Sequence, residues 1–110
     1  DARPAARFLG AAPEPRPGLR SGHMPGAVSV PFQEIVQDGM LKDLKELQAV
    51  FESAGVDLAR PVIATCGSGV SAALVNLALT SLNAASHTIY DGSWAEWGLP
   101  GDTPVVTGKD

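Results

Sequence analysis

The sequence contains a single cysteine, Cys66, and only two histidines, His23 and His87, which stand far apart. One cysteine cannot form a disulfide within the chain, and these three residues lack the close spacing of a zinc site. We therefore expect no internal disulfide, no metal and no cofactor. Packing and hydrogen bonding must stabilise the fold.

Positive charge is also scarce, because eight Lys and Arg residues face twelve Asp and Glu residues, giving a net charge of -4. No basic run with interleaved aromatic residues occurs, so we predict no nucleic-acid partner. The longest apolar-leaning run, at 70–82, is interrupted by polar residues and is too short to cross a bilayer. The N-terminus lacks the pattern of a secretion signal. We expect no membrane association and a cytoplasmic location, or a mitochondrial one in a eukaryote.

The residues that are present are typical of one globular domain. The chain has 110 residues, of which 45% are apolar and 18% are charged, so we predict a single domain over 1–110. Strand and helix patterns alternate, which favours an α/β fold with an open, mainly parallel sheet. The predicted elements are a helical turn at 5–9, a strand at 27–30, a helix at 42–54, a strand at 61–65, a helix at 70–82, a strand at 87–90 and a loop or short helix at 91–98.

Two of these elements are predicted to be deeply buried. The strand at 61–65 is a short apolar run rich in β-branched residues, which suits a strand covered on both faces. The helix at 70–82 is apolar nearly all round, which indicates a buried helix. For the helix at 42–54, Asp43 is the expected N-terminal cap and Gly55 the expected C-terminal one.

Cys66 lies in the stretch ATCGSGVSAA, between the predicted strand at 61–65 and the helix at 70–82. Ligands of open α/β sheets bind beyond the carboxyl ends of the strands, which is where this thiol falls. Gly67 and Gly69 allow successive N–H groups to turn inward as an anion cradle, and the helix N-terminus favours the nucleophilic thiolate. The alternative is a buried, inert cysteine in a turn whose glycines serve packing.

Four stretches resemble the rhodanese superfamily, and within it the catalytic domain of the mercaptopyruvate sulfurtransferases. They are the loop CGSGVSAA at 66–73, DAR at 1–3, SGHMPGAVSVPF at 21–32 and YDGSWAEWG at 90–98. The resemblance implies a rhodanese-like open parallel sheet of four to five strands with helices on both faces, whose first strand would precede Asp1. It also implies that the chain is part of a longer protein with an inactive N-terminal rhodanese-like domain.

The resemblance further implies sulfur transfer through a Cys66 persulfide. A keto acid thiol, 3-mercaptopyruvate, would be the donor, pyruvate the product, and a thiol such as thioredoxin or cyanide the acceptor. Ser68 would assist catalysis by donating to the substrate carbonyl or relaying a proton. Since Gly67 and Ser68 carry no positive charge, we expect a singly charged donor rather than thiosulfate, a dianion.

The donor carboxylate needs a cationic partner, and a guanidinium can grip it through two hydrogen bonds. By resemblance, the arginine of the RF pair at 7–8 and the arginine of the EPR triplet at 14–16 bind substrate. Ser71 stands where the family usually has threonine, which keeps the hydroxyl group. The predicted substrate-binding residues are Arg7, Arg16, Gly67, Gly69, Val70 and Ser71.

Other interpretations remain open at this point. A thiosulfate sulfurtransferase and a non-catalytic rhodanese-like binding module are the main alternatives, although such modules typically lose the cysteine. A cysteine phosphatase would need an arginine that closes the loop after Cys66, and 67–73 contain none. His23 is expected to pack rather than to catalyse, and Asp1 and Arg3 to form a stabilising pair.

Overall fold

A computed structural model of the protein describes residues 1–84 and 86–109. Its elements are α1 (Ala5–Leu9), a 3-10 turn (Phe32–Glu34), β1 (Val36–Gln37), β2 (Met40–Leu41), α2 (Leu44–Ser53), β3 (Val62–Ala64), α3 (Val70–Ser81), β4 (His87–Ile89) and α4 (Ser93–Trp97). The predicted helical turn at 5–9 and the strands within 61–65 and 87–90 are confirmed. The predicted loop or short helix at 91–98 contains α4.

A parallel strand pair carries the candidate site. β3 and β4 are hydrogen-bonded in parallel, with Val62 opposite His87 and Ala64 opposite Ile89. α3 connects them and packs against both strands. This strand, helix, strand unit confirms the predicted α/β class and places the carboxyl end of β3 beside the start of α3.

The sheet is smaller and less covered than predicted. Within 1–84 and 86–109 the paired strands are β3 with β4 and, separately, the antiparallel hairpin of β1 with β2, rather than one sheet of four to five strands. Ile63 on β3 is 67% exposed, and its neighbour Thr88 on β4 is also exposed. The prediction that the strand at 61–65 is buried on both faces is therefore wrong, because the side of β3 that carries Ile63 is open to solvent.

Residues 27–30 do not form the predicted strand, although their backbone is hydrogen-bonded. The Val30 amide donates to the Asp1 carbonyl at 2.9 Å, and the Ala2 amide donates at 2.8 Å to the carbonyl of the residue after β3. The start of the chain thus bridges this segment and β3. Pro31 has no N–H to extend the pairing, so a regular ladder does not develop.

The hairpin of β1 and β2 was not predicted. Its turn consists of Asp38 and Gly39, with φ values of 53° and 77°. Two consecutive residues in the left-handed region are typical of the tight turn that joins antiparallel strands, and Asp-Gly is a favoured pair there. The dipeptide was a usable signal in the sequence.

The helix predicted at 42–54 is α2. Asp43 caps it, since its carboxylate accepts a backbone N–H of the first turn at 2.9 Å. Leu47 and Phe51 lie on its buried side, each 1% exposed, and pack into the core. Gly55, with φ of 89°, follows its end as predicted.

α3 is less buried than the sequence indicates. Its inner face packs into the core with β3 and α2, but Val70 is 74% exposed and Leu77 is 51% exposed. The prediction of a helix buried nearly all round is wrong, because α3 covers one face of a two-stranded sheet. The buried residues of α3 are Ala72, Val75, Ala78 and Leu79. In the part of the chain that the structure describes, no helix has both the length and the apolarity to span a membrane.

The C-terminal segment is fixed by long-range hydrogen bonds. Arg20 donates to the Thr103 carbonyl at 2.9 Å and to the Trp97 carbonyl at 3.0 Å. His23 and Val106 exchange backbone hydrogen bonds. The His23 ring is fully buried and stacks on Phe8, with ring centres 3.8 Å apart. His23 therefore occupies the core, in agreement with its expected packing role.

Arg3 is a fully buried cation at the centre of the N-terminal region. It donates to the Asp1 carboxylate at 2.8 Å, to the Gly22 carbonyl at 2.7 Å and to the Glu14 carboxylate at 3.2 Å. Its guanidinium carbon lies 4.3 Å from the centre of the Trp94 ring. Burial lowers the pKa of Arg3, whereas the Glu14 carboxylate opposes that shift. The expected pair of Asp1 and Arg3 is thus part of a larger buried ion network.

Replacing Arg3 by methionine should strongly destabilise the fold. Arg3→Met leaves two buried carboxylates without their cation, which costs about 3–5 kcal/mol of unfolding free energy. Urea unfolding followed by tryptophan fluorescence measures this loss. The exposed Arg60→Met variant is the control and should change stability by less than about 0.5 kcal/mol. A loss below about 1 kcal/mol for Arg3→Met would contradict the assigned role.

Candidate active site

The Cys66 sulfur lies at the end of the turn that joins β3 to α3. The side chain is 1% exposed, and its Sγ accepts a hydrogen bond from the Gly69 amide at 3.0 Å. The start of α3 follows directly at Val70. A hydrogen bond aimed at the sulfur and a helix N-terminus both favour negative charge on that atom. The turn can therefore stabilise a thiolate.

Gly69 satisfies both a conformational and a steric requirement of this turn. Its φ is 98°, in the left-handed region that residues with a Cβ avoid. A Cβ at this position would lie 3.1 Å from the Asp91 carbonyl oxygen and 3.4 Å from the Asp91 carboxylate. A side chain here would push the turn away from the loop before α4 and move the amide that contacts Cys66.

Residues of α4 form hydrogen bonds with the turn that contains Cys66. The Ser93 hydroxyl accepts the Cys66 N–H at 3.1 Å and donates to the Tyr90 carbonyl at 2.9 Å. The Trp94 amide donates to the Cys66 carbonyl, and the Ala95 amide donates to the Gly67 carbonyl, both at 2.8 Å. These bonds fix the turn on both sides of the sulfur.

Ser93 was missed by the sequence analysis. It is fully buried and has a positive φ of 50°, which is uncommon for a residue other than glycine. Its partner Cys66 is distant along the chain, so no local pattern marks the contact. The only signal was its place in the stretch DGSW, one of the segments that carried the family resemblance.

Tyr90 lies just before α4 and forms a hydrogen bond with a residue on the outer side of that helix. Its hydroxyl donates to the Glu96 carboxylate. This hydrogen bond is the main cause that raises the pKa of Tyr90 to about 12. The phenol therefore stays protonated at neutral pH and is not a candidate base.

Cys66 opens onto a cleft of about 200 Å³ that also receives both predicted arginines. The cleft is lined by Arg7, Glu14, Pro15, Arg16, Leu19, Cys66, Gly67, Ser68 and Ser71. Arg7 is 23% exposed. Arg16 is exposed, and one of its nitrogens lies 3.5 Å from the Gly67 carbonyl. Two guanidinium groups and a potential thiolate therefore share one small space.

Most of the predicted site residues meet at this cleft. Arg7, Arg16 and Ser71 line it together with Gly67 and Ser68 of the turn. Gly69 contributes its amide to the Cys66 sulfur without lining the cleft. Val70 is not brought into it, because its side chain is 74% exposed at the start of α3.

Glu14 is a cleft residue that the sequence analysis did not identify. Its side chain is only 2% exposed, with one oxygen 3.2 Å from Arg3 and the other 3.7 Å from Arg7. It stands in the EPR triplet at 14–16, of which only the arginine was noticed. A carboxylate between several arginines was a signal for an ion pair. Among the described residues, no group of three or more His, Cys, Asp or Glu side chains could hold a metal ion.

Comparison with known proteins agrees with this geometry. The model of the rhodanese-like domain matches residues 1–99. The chain belongs to the rhodanese family. Rhodanese-fold structures resemble it along its length: the Tum1 protein of Saccharomyces cerevisiae superposes with a TM-score of 0.89 at 31% identity, covering 100% of this chain and 40% of that one. The Escherichia coli 3-mercaptopyruvate sulfotransferase SseA gives a TM-score of 0.71 at 49% identity, covering 84% and 34%.

Curated members of the rhodanese family include enzymes named for two donors. The 3-mercaptopyruvate sulfurtransferase of Escherichia coli K12 is 54% identical over 105 residues, which cover 96% of this chain and 37% of that protein. The thiosulfate sulfurtransferase of Rattus norvegicus is 44% identical over 113 residues, covering 99% and 38%. This rhodanese chain thus spans less than two fifths of the length of either relative.

A methyl group at Gly69 should disturb the turn more than one at an unobstructed glycine. Gly69→Ala combines an unfavourable φ with a clash, so it should destabilise the fold by about 1–3 kcal/mol. Gly26→Ala is the matched control, since Gly26 has a φ of 82° but nothing within 4 Å of the added carbon. Thermal unfolding compares the two. Equal loss in both variants would show that the contact with Asp91 has no effect.

Proposed function

We propose that this domain catalyses sulfur transfer from 3-mercaptopyruvate through a persulfide on Cys66. The observation that carries the proposal is the Cys66 sulfur, hydrogen-bonded to the Gly69 amide at 3.0 Å and facing a cleft with Arg7 and Arg16. A nucleophile held beside an anion-binding pair suits a donor with a sulfur at one end and a carboxylate at the other. Membership of the rhodanese family and the names of the relatives support the same reaction.

In the first step the Cys66 thiolate attacks the sulfur of the donor. A bond forms between the two sulfurs while the carbon–sulfur bond of the donor breaks, and its electron pair leaves as the enolate of pyruvate. The enolate takes up one proton to become pyruvate, and the donor sulfur stays on Cys66 as a persulfide. Ser68 lines the cleft and is exposed, which supports the proposal that its hydroxyl donates to the substrate carbonyl or relays this proton.

In the second step an acceptor removes the outer sulfur. A thiolate, such as that of reduced thioredoxin, or cyanide attacks it, and the electron pair of the sulfur–sulfur bond returns to Cys66. The Gly69 amide that contacts the Cys66 sulfur stabilises its negative charge as a thiolate, before the first step and after the second. Both reactions suit a reducing compartment such as the cytoplasm.

Donor choice follows from the charge of the turn. Gly67 and Ser68, which follow the nucleophile, are neutral, so the turn itself offers no cation to a doubly charged donor. The carboxylate of a singly charged keto acid is bound instead by Arg7 and Arg16. Thiosulfate, the substrate in the name of one relative, is the competing donor.

The longer relatives suggest how this domain acts in its protein. Since it spans 37% of the Escherichia coli enzyme, we include in the proposal that residues 1–110 act as the catalytic domain beside an inactive rhodanese-like domain. That domain would approach the cleft and shield it from water.

The wild-type domain should transfer sulfur to cyanide faster from mercaptopyruvate than from thiosulfate. Thiocyanate formation measures both rates, and the expected preference in kcat/KM is about tenfold or more, since one extra uncompensated charge has at least that effect. Cys66→Ser should lower transfer by about a thousandfold, because the hydroxyl is a far weaker nucleophile at neutral pH. Equal use of thiosulfate would refute the donor assignment, and full activity of Cys66→Ser would refute the mechanism.

Arg16→Ala tests the carboxylate site separately. Removal of a charged hydrogen-bond donor should raise the KM for mercaptopyruvate about tenfold or more with a smaller effect on kcat. Arg60→Ala removes an exposed arginine outside the cleft and should leave both constants unchanged. An unaltered KM in Arg16→Ala would remove Arg16 from the site.

A further inference from the structure

The buried carboxylate of Glu14 contacts both Arg3, which stabilises the fold, and Arg7, which lines the cleft. One of its oxygens lies 3.2 Å from Nη1 of Arg3, and the other lies 3.7 Å from Nη1 of Arg7. A carboxylate that is 2% exposed loses nearly all of its hydration, so these two cations must compensate for it. Glu14 therefore forms an ion pair with an arginine on each side.

The two arginines differ in how far their positive charges are balanced by groups other than Glu14. Arg3 already binds the Asp1 carboxylate through two of its nitrogens, at 2.8 to 3.2 Å, and the Gly22 carbonyl at 2.7 Å. The charges of Asp1 and Arg3 thus balance each other. The charge of Glu14 remains to balance Arg7.

Apart from the charge on the Cys66 thiolate, this leaves the cleft with one uncompensated positive charge. Among the described residues that line it, the charged ones are Arg7, Glu14 and Arg16. Arg16 is exposed, and its only hydrogen bond in the described structure is a long one, 3.5 Å, to the Gly67 carbonyl. Arg16 therefore supplies the net charge, and Arg7 supplies hydrogen-bond donors whose charge is already paired.

We propose that Glu14 contributes to donor specificity by pairing with Arg7, so that the cleft attracts anions with two negative charges much less strongly than it would if the charge of Arg7 were unpaired. This inference rests on the proposed function, because it explains how that same site selects its donor. Glu14 is a positioning residue, since it acts on the substrate through Arg7. It holds the Arg7 guanidinium at the cleft while cancelling its charge.

The discrimination follows from how electrostatic energy scales with ligand charge. Removing the Glu14 charge would strengthen attraction for every anion, but twice as much for a dianion as for a monoanion. Burial of Glu14 limits screening by solvent and salt. A neutral residue at position 14 should therefore raise the use of thiosulfate relative to mercaptopyruvate.

Glu14→Gln is the direct test, because the amide oxygen can still accept hydrogen bonds from either arginine. The ratio of kcat/KM for thiosulfate to that for mercaptopyruvate should rise about tenfold or more, mainly through KM. Glu14→Asp keeps the charge and should return the ratio to within about twofold of the wild type. Glu52→Gln, which removes an exposed carboxylate on α2, should leave the ratio unchanged. An unchanged ratio in Glu14→Gln overturns the proposal.

A binding measurement separates this inference from the proposed reaction. Pyruvate and sulfate, inert anions of one and two charges, are titrated into the wild type and Glu14→Gln by NMR. Wild-type affinities within about threefold of each other, with sulfate gaining about tenfold in Glu14→Gln, support the role of Glu14 even without turnover. If Glu14→Gln does not fold, the titrations of the wild type alone test the proposal. Wild-type binding of sulfate that is at least about tenfold tighter than binding of pyruvate would overturn it.

Discussion

The hydrogen bond from the Gly69 amide to the Cys66 sulfur is the contact around which the rest of the site is built. It requires a backbone at φ of 98°, no Cβ at Gly69, and a turn that reverses directly from β3 into α3. α4 helps to hold this geometry, because it forms hydrogen bonds with the backbone amide and carbonyl of Cys66. A core cysteine gains nothing from such an arrangement, whereas a thiolate or a persulfide anion is stabilised by it.

The second constraint is the buried ion network that connects the start of the chain to the cleft. Arg3 binds Asp1, Glu14 and the Gly22 carbonyl and contacts Trp94 of α4. The same network that stabilises the fold therefore holds one wall of the cleft. Because Glu14 belongs to both, the charge presented to a substrate is coupled to the stability of the N-terminal region.

Sequence patterns predicted the elements that depend on local spacing. The strand, turn and helix around Cys66 follow from an apolar run, small residues and a helical segment that are contiguous in the chain. Features that depend on distant partners were not predicted. Residues 27–30 pair with Asp1, which is distant along the sequence, and Pro31 interrupts this pairing; Ser93 likewise reaches Cys66 across 27 positions. Arg7 and Arg16 were found only through family resemblance, and Glu14 was overlooked because its partners become apparent only in three dimensions.

The central claim is that Cys66 carries a sulfur atom, and intact-mass spectrometry tests it directly. The domain is incubated with mercaptopyruvate in the absence of any acceptor and is then digested to locate the change. The account predicts a mass gain of one sulfur atom on the peptide that contains Cys66, and the loss of that gain when cyanide is added. Release of pyruvate while Cys66 stays unmodified and unoxidised would contradict it.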